Sequence, residues 1–79
     1  MEPFLGQIIL NGANFTPAGW HPCDGSLLPP NQFPALFTLL GTRYGGDGRT
    51  TFALPNLPSP DNGVTQYIIA IEGIFPRRP

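Results

Sequence analysis

With 79 residues, nine charged side chains and no lysine, the chain is long enough for one domain and short of the charge that keeps a small monomer apart from its neighbours. A formal charge of −1, with Arg77 and Arg78 as the one basic pair, leaves no electrostatic footprint for DNA or RNA, and neither a membrane span nor a signal peptide is encoded. Glycine and proline supply 21 residues, but Leu, Ile, Val and Phe supply 22, enough apolar volume for the chain to fold.

The first predicted element is a strand over Phe4 to Leu10, with Gly6 near its start and Asn11-Gly12 as the turn after it. Because Ile8, Ile9 and Leu10 run on without alternation, both faces of that strand are expected to be covered. A loop from Ala13 to Gly19 follows, in which Thr16 is disfavoured as helix by Pro17. Trp20 to Asp24 reads as short and extended, and Asp24-Gly25 as a second turn. Asn31 is the natural N-cap of a single helix, with Pro34 in its first turn. Phe33, Leu36, Phe37 and Leu40 form one apolar stripe along it, and Gly41 takes the left-handed position at its end. A helix of about ten residues is too short to stand alone and must pack on a sheet.

Next comes Tyr44-Gly-Gly-Asp-Gly-Arg-Thr-Thr-Phe-Ala-Leu-Pro55, too rich in glycine for regular structure and too patterned for a linker. Gly45, Gly46 and Gly48 permit the positive φ angles of a tight loop. Asp47 can accept from its own backbone two residues on, and Arg49 offers a planar fork to a carboxylate. Thr50 to Leu54 reads as a strand that Pro55 stops. The last element runs from Val64 to Phe75, with Tyr67, Ile69 and Ile71 on the core face and Gln66, Ile68, Ala70 and Glu72 on the other. The expected fold is a small α+β module, a few short strands with one helix packed on them, whose core joins Trp20, Cys23, Leu36, Phe37, Leu40, Phe52 and Ile69.

Four patches, in order, carry a resemblance: Asn14-Phe-Thr-Pro-Ala-Gly-Trp20 with Cys23-Asp-Gly-Ser-Leu-Leu28, the helix Ala35 to Gly41, the glycine loop, and Tyr67-Ile-Ile-Ala-Ile-Glu-Gly-Ile-Phe-Pro76. This order resembles the phage tail collar domain, which also occurs in bacterial proteins of the microcystin-dependent type. The resemblance implies a small mixed module, typically trimeric, in short tail fibres and related extracellular appendages, and it implies no chemistry. It spans roughly residues 4 to 57 and then the last strand, so residues 1–79 read as one collar-like domain: a collar region over 1–57, a connector over 58–63 and a terminal strand over 64–76. Only Pro58 to Gly63 stands where family members usually carry a long insertion, and no shaft precedes the first strand, so the chain looks like the collar fold alone.

Chemistry-bearing residues are few. His21 and Cys23 cannot complete a tetrahedral zinc site, and three copies about an axis offer the one route to a metal. Cys23 reads instead as a small buried residue, as the resemblance also implies, and His21 as a surface one. The glycine loop lacks the lysine of a phosphate-binding loop, and Asp47 lacks the alternating acids of a calcium loop. No two groups are spaced for acid–base or nucleophilic work, so neither an enzyme nor a cofactor is expected. Asp24, Gly25, Gly45, Gly46, Asp47, Gly48 and Arg49 are assigned to structural turns, in which Asp24 or Asp47 could pair with Arg43 or Arg49. Trp20 is read as a core anchor, the alternative being an exposed aromatic surface with Phe15 and Tyr44 for a glycan or partner.

Tyr67, Ile68, Ile69, Ala70 and Ile71 form an uncharged run of high β propensity that pairs with any open edge, so they are assigned to assembly, with Arg77 and Arg78 as gatekeepers against further pairing. The function that follows is a non-enzymatic structural or attachment module of a phage tail or tail-derived appendage, self-associating as a homo-oligomer, with three copies the favoured number. Other tail or fibre proteins and a cell-surface glycan are the further partners considered. The alternative is a freestanding bacterial filament or adhesion subunit linked strand to strand.

Overall fold

A computed structural model describes residues 2–77, so Arg78 and the gatekeeper role read for it lie outside the described residues. The chain builds a three-stranded antiparallel sheet and a two-stranded one, with a single helix, in the order β1 (Ile8–Asn11), β2 (Trp20–Pro22), β3 (Leu27–Leu28), α1 (Pro34–Leu40), β4 (Phe52–Ala53) and β5 (Gln66–Ala70). This is the small α+β module expected. The larger sheet has the order β1-β5-β2, and β3 pairs with β4.

The terminal strand is therefore central. Ile8 faces Ile69 and Leu10 faces Tyr67 on one side of it, while Trp20 faces Ala70 and His21 faces Ile69 on the other. Tyr67, Ile69 and Ile71 contribute to the core, as the alternation predicts. The opposite face is closed as well, since Ile68 and Ala70 are 1% and 0% exposed. The topology accounts for this: β1 and β2 both run antiparallel to β5 and hence parallel to each other, so the connection through residues 12–19 has to cross β5 to join them.

The core holds Leu5, Cys23, Leu36, Phe52, Leu54 and Ile69, with Phe33, Phe37, Leu39 and Leu40 packed against it from the helix side. Phe52 is its largest fully buried side chain, and its ring meets that of Phe37 at 5.3 Å in a tilted arrangement. Six of the seven expected core residues are in this group or packed on it. Trp20 is not: it lies half-buried on the face of the sheet away from Cys23 and Ile69, because its position opposite Ala70 points it there.

Several boundaries differ from those read in the sequence. The first strand begins at Ile8 because Gly6 turns at φ +83°, leaving Phe4 in an isolated parallel bridge with Ile74. Its faces are not both covered, since Ile8, Ile9 and Leu10 are 38%, 39% and 47% exposed at the rim of the sheet. The helix starts at Pro34, after Phe33 and with no side-chain cap, rather than after Asn31. Capping at Asn31 would put Phe33 in helical backbone directly before a proline, where the ring disfavours it; Phe33 instead takes φ −130° and ψ 56°. Gly41 has the positive φ expected, but with ψ −145° it leaves the helix extended. The strands read over Thr50 to Leu54 and Val64 to Phe75 shrink to Phe52–Ala53 and Gln66–Ala70, and β3 has no counterpart in the sequence reading because two leucines show no period.

Candidate functional site

The glycine loop is built around one carboxylate. Asp47 Oδ1 accepts from the backbone N–H groups of Arg49, Thr50 and Thr51 at 2.9, 2.8 and 3.1 Å, and Oδ2 accepts from the Thr50 hydroxyl at 2.7 Å. These donors hold the carboxyl far below its ordinary range, the Thr50 hydroxyl most of all. Gly45, Gly46 and Gly48 all take positive φ. Gly46 is the most constrained: a Cβ there would lie 2.6 Å from Phe52 Cα and 2.7 Å from the Thr51 carbonyl, so the loop folds back directly on β4. Ala53 donates to the Gly45 carbonyl at 3.0 Å and fixes the same approach from the strand side.

Asp24 shapes the second turn. It accepts from the Ser26 N–H at 3.0 Å and from the Ser26 hydroxyl, which lowers its pKa, chiefly through the hydroxyl. Gly25 donates to the Pro55 carbonyl and Asp24 bridges to Asn56, so this turn clamps the far end of β4 while the glycine loop clamps the near end. The two turns hold neighbouring residues of this segment, Ala53 donating to the Gly45 carbonyl and Leu54 to the Ser26 carbonyl. Both carboxylates are satisfied by neighbours in sequence, and neither is paired with Arg43 or Arg49 among the described residues. A third turn of the same design lies in what read as a plain connector. Asp61 accepts from the Thr65 N–H at 2.7 Å and from the hydroxyls of Thr65 and Ser59 at 2.8 Å, which lowers its pKa too. The spacing Ser59, Asp61, Thr65 was the signal available for it.

Tyr67 to Ile71 does not offer an open edge. Both edges of β5 are filled within the chain, by β1 and β2, which removes the ground on which those residues were assigned to assembly. The free edges of the larger sheet belong to β1 and β2. Pro22 blunts β2, whereas Ile8 to Asn11 carries neither charge nor proline.

The fold also leaves large apolar side chains exposed, Phe4, Ile74 and Phe75 among them. The chain ends zip together, Leu5 donating to the Ile74 carbonyl at 2.8 Å and Ile74 to the Pro3 carbonyl at 3.0 Å. Gly73 makes this approach feasible, since a Cβ there would sit 2.4 Å from the Pro3 carbonyl oxygen. The zipped ends form a groove of about 450 Å³ lined by Phe4, Ile74, Phe75, Pro76 and Arg77. A hollow of about 400 Å³ is lined by Glu2, Pro3, Phe4, Gln7, Ile9 and Trp20, and it shares Glu2, Pro3 and Trp20 with one of about 200 Å³ that Glu72 also lines. Phe4, Ile74 and Phe75 are each about half exposed. Phe15 lines a separate hollow, so it does not join Trp20 in one aromatic surface.

Cys23 is 1% exposed, and burial, with the Asp24 charge, pushes its thiol up to about 11. His21 turns its Nδ1 to the Pro22 carbonyl at 2.9 Å. Among the described residues no three of His, Cys, Asp and Glu gather as metal ligands, and no helix is long and apolar enough to cross a membrane.

Residues 6–59, more than half of the chain, match the family model described as the Phage Tail Collar Domain. The match takes in both clamping turns, α1 and β4, and ends before β5. No curated protein matches the chain.

Proposed function

Because the chain belongs to the phage tail collar domain family, it is a structural tail-fibre domain and not an enzyme, and on that premise we propose that it self-associates as a homo-oligomer at a fibre or its tip and serves there in attachment. Three copies is the number the family resemblance favours. The observation that carries the self-association is the set of exposed and half-buried apolar side chains lining two hollows that share Phe4, with Ile9 and Trp20 in one and Ile74 and Phe75 in the other. A chain with nine charges has little polar side chain to spread over such a surface, and a partner removes it from water. Light scattering on the purified protein tests this, and a species of more than one copy at micromolar concentration is expected.

A second reading, a filament or adhesion subunit linked strand to strand, draws support from the unblunted edge of β1. Replacing Leu10 by proline on that edge separates the two: Ala70 donates to the Gln7 carbonyl, so by alternation Ile9 bonds to β5 while Leu10 turns its N–H to the free side, and Leu10 lines no part of the apolar surface. Strand linkage is lost in the proline variant, whereas assembly through the apolar surface survives it.

A further inference from the structure

Five carboxylates are present in the whole chain, and three of them, Asp24, Asp47 and Asp61, are committed to turns. The two left over, Glu2 and Glu72, are exposed and line the same hollow beside Trp20. Glu2 and Trp20 also line the neighbouring hollow together with Phe4, and Phe4 in turn lines the apolar groove, whose lining includes Arg77. The surface is therefore acidic at one end, apolar in the middle and basic at the other.

We infer that this surface is where copies of the chain meet, the guanidinium of Arg77 on one copy set against Glu2 and Glu72 of the next, across an apolar centre at Phe4. The inference rests on the self-association proposed above and specifies its contact. A second copy is the occupant that fits, because the patch carries its own complement: each copy brings both the acidic end and the basic end. At a formal charge of −1 per chain, overall repulsion between copies is small, so the local arrangement decides. The burial of a central aromatic with charged groups at the rim is the usual anatomy of a stable contact. The same argument gives the exposed Phe4 and the tight Gly73 a purpose, since the zipped chain ends hold Phe4 beside Ile74.

The test is a charge swap on the full chain, read as the association constant by analytical ultracentrifugation. Arg77→Glu and Glu72→Arg are each expected to weaken association about tenfold or more, and the double variant to recover most of it. Arg77→Gln should weaken it less and also reduce its dependence on salt. Circular dichroism on each variant checks the fold, and these exposed positions are expected to leave it unchanged. Wild-type oligomers that persist in both single variants, or a double variant no better than the singles, would overturn the placement and leave self-association standing. A wild-type protein that stays a monomer would overturn self-association and the contact together.

Discussion

Leu36→Ala probes the packing that holds the module together. Leu36 is 1% exposed and sits where α1 meets the core of Cys23, Phe52, Leu54 and Ile69. Truncation removes a fully buried isobutyl group and leaves a cavity that this short helix can close only in part, a loss of about 3 to 5 kcal/mol. A domain of this size is stable by roughly 4 to 12 kcal/mol, so one side chain accounts for about a quarter or more of the total. At about 4 to 8 °C per kcal/mol, the melting temperature should fall by at least roughly 12 °C. Thermal unfolding followed by circular dichroism gives the answer, with protein concentration held fixed because association shifts the midpoint. Leu39→Ala, at a partly buried position on the same helix, should cost clearly less. A Leu36→Ala midpoint within about 2 °C of wild type, or a larger effect at Leu39, would refute the claim that the helix is anchored through Leu36.

Three further outcomes are expected. Gly46→Val should prevent folding, because its Cβ would fall on the Phe52 and Thr51 backbone, whereas Asp47→Asn should fold with reduced stability; a well-folded valine variant would show that the loop does not fold back on β4. Asp24, Asp47 and Asp61 all have pKa values lowered by the hydrogen bonds they accept, so their contribution to stability is complete above their unfolded value of about 4 and is lost as pH falls through the folded values. Chemical denaturation at neutral pH, at pH 5 and at pH 3 should therefore give two similar midpoints and one lower, with Asp47→Asn flattening the acid side. Cys23 should resist alkylation at pH 8 in the folded protein and react once it is unfolded, and rapid labelling of the native state would contradict its burial.

Much of this architecture is legible in the residues themselves. The glycine loop announces itself because three glycines and one aspartate leave few alternatives, and all three glycines adopt the positive φ their spacing suggests. The helix and its apolar stripe follow from period, and the core face of β5 from alternation. What the sequence conceals is order in space. Nothing in Tyr67 to Ile71 reveals that β1 and β2 would flank it, and the same uncharged character that suits a buried central strand also suits a sticky edge. Trp20 misleads for a related reason: its size argues for burial, while a single register position decides which face it takes. The apolar surface is hidden in the sequence because Phe4 and Ile74 stand at opposite ends of the chain and meet only through the bridge between them.

The most direct test of the account is the mass of the purified particle in solution. Self-association through the apolar surface predicts a discrete species of several copies at micromolar concentration, three copies giving about three times the 8.5 kDa of one chain. A soluble, folded protein that remains at 8.5 kDa under those conditions would contradict it.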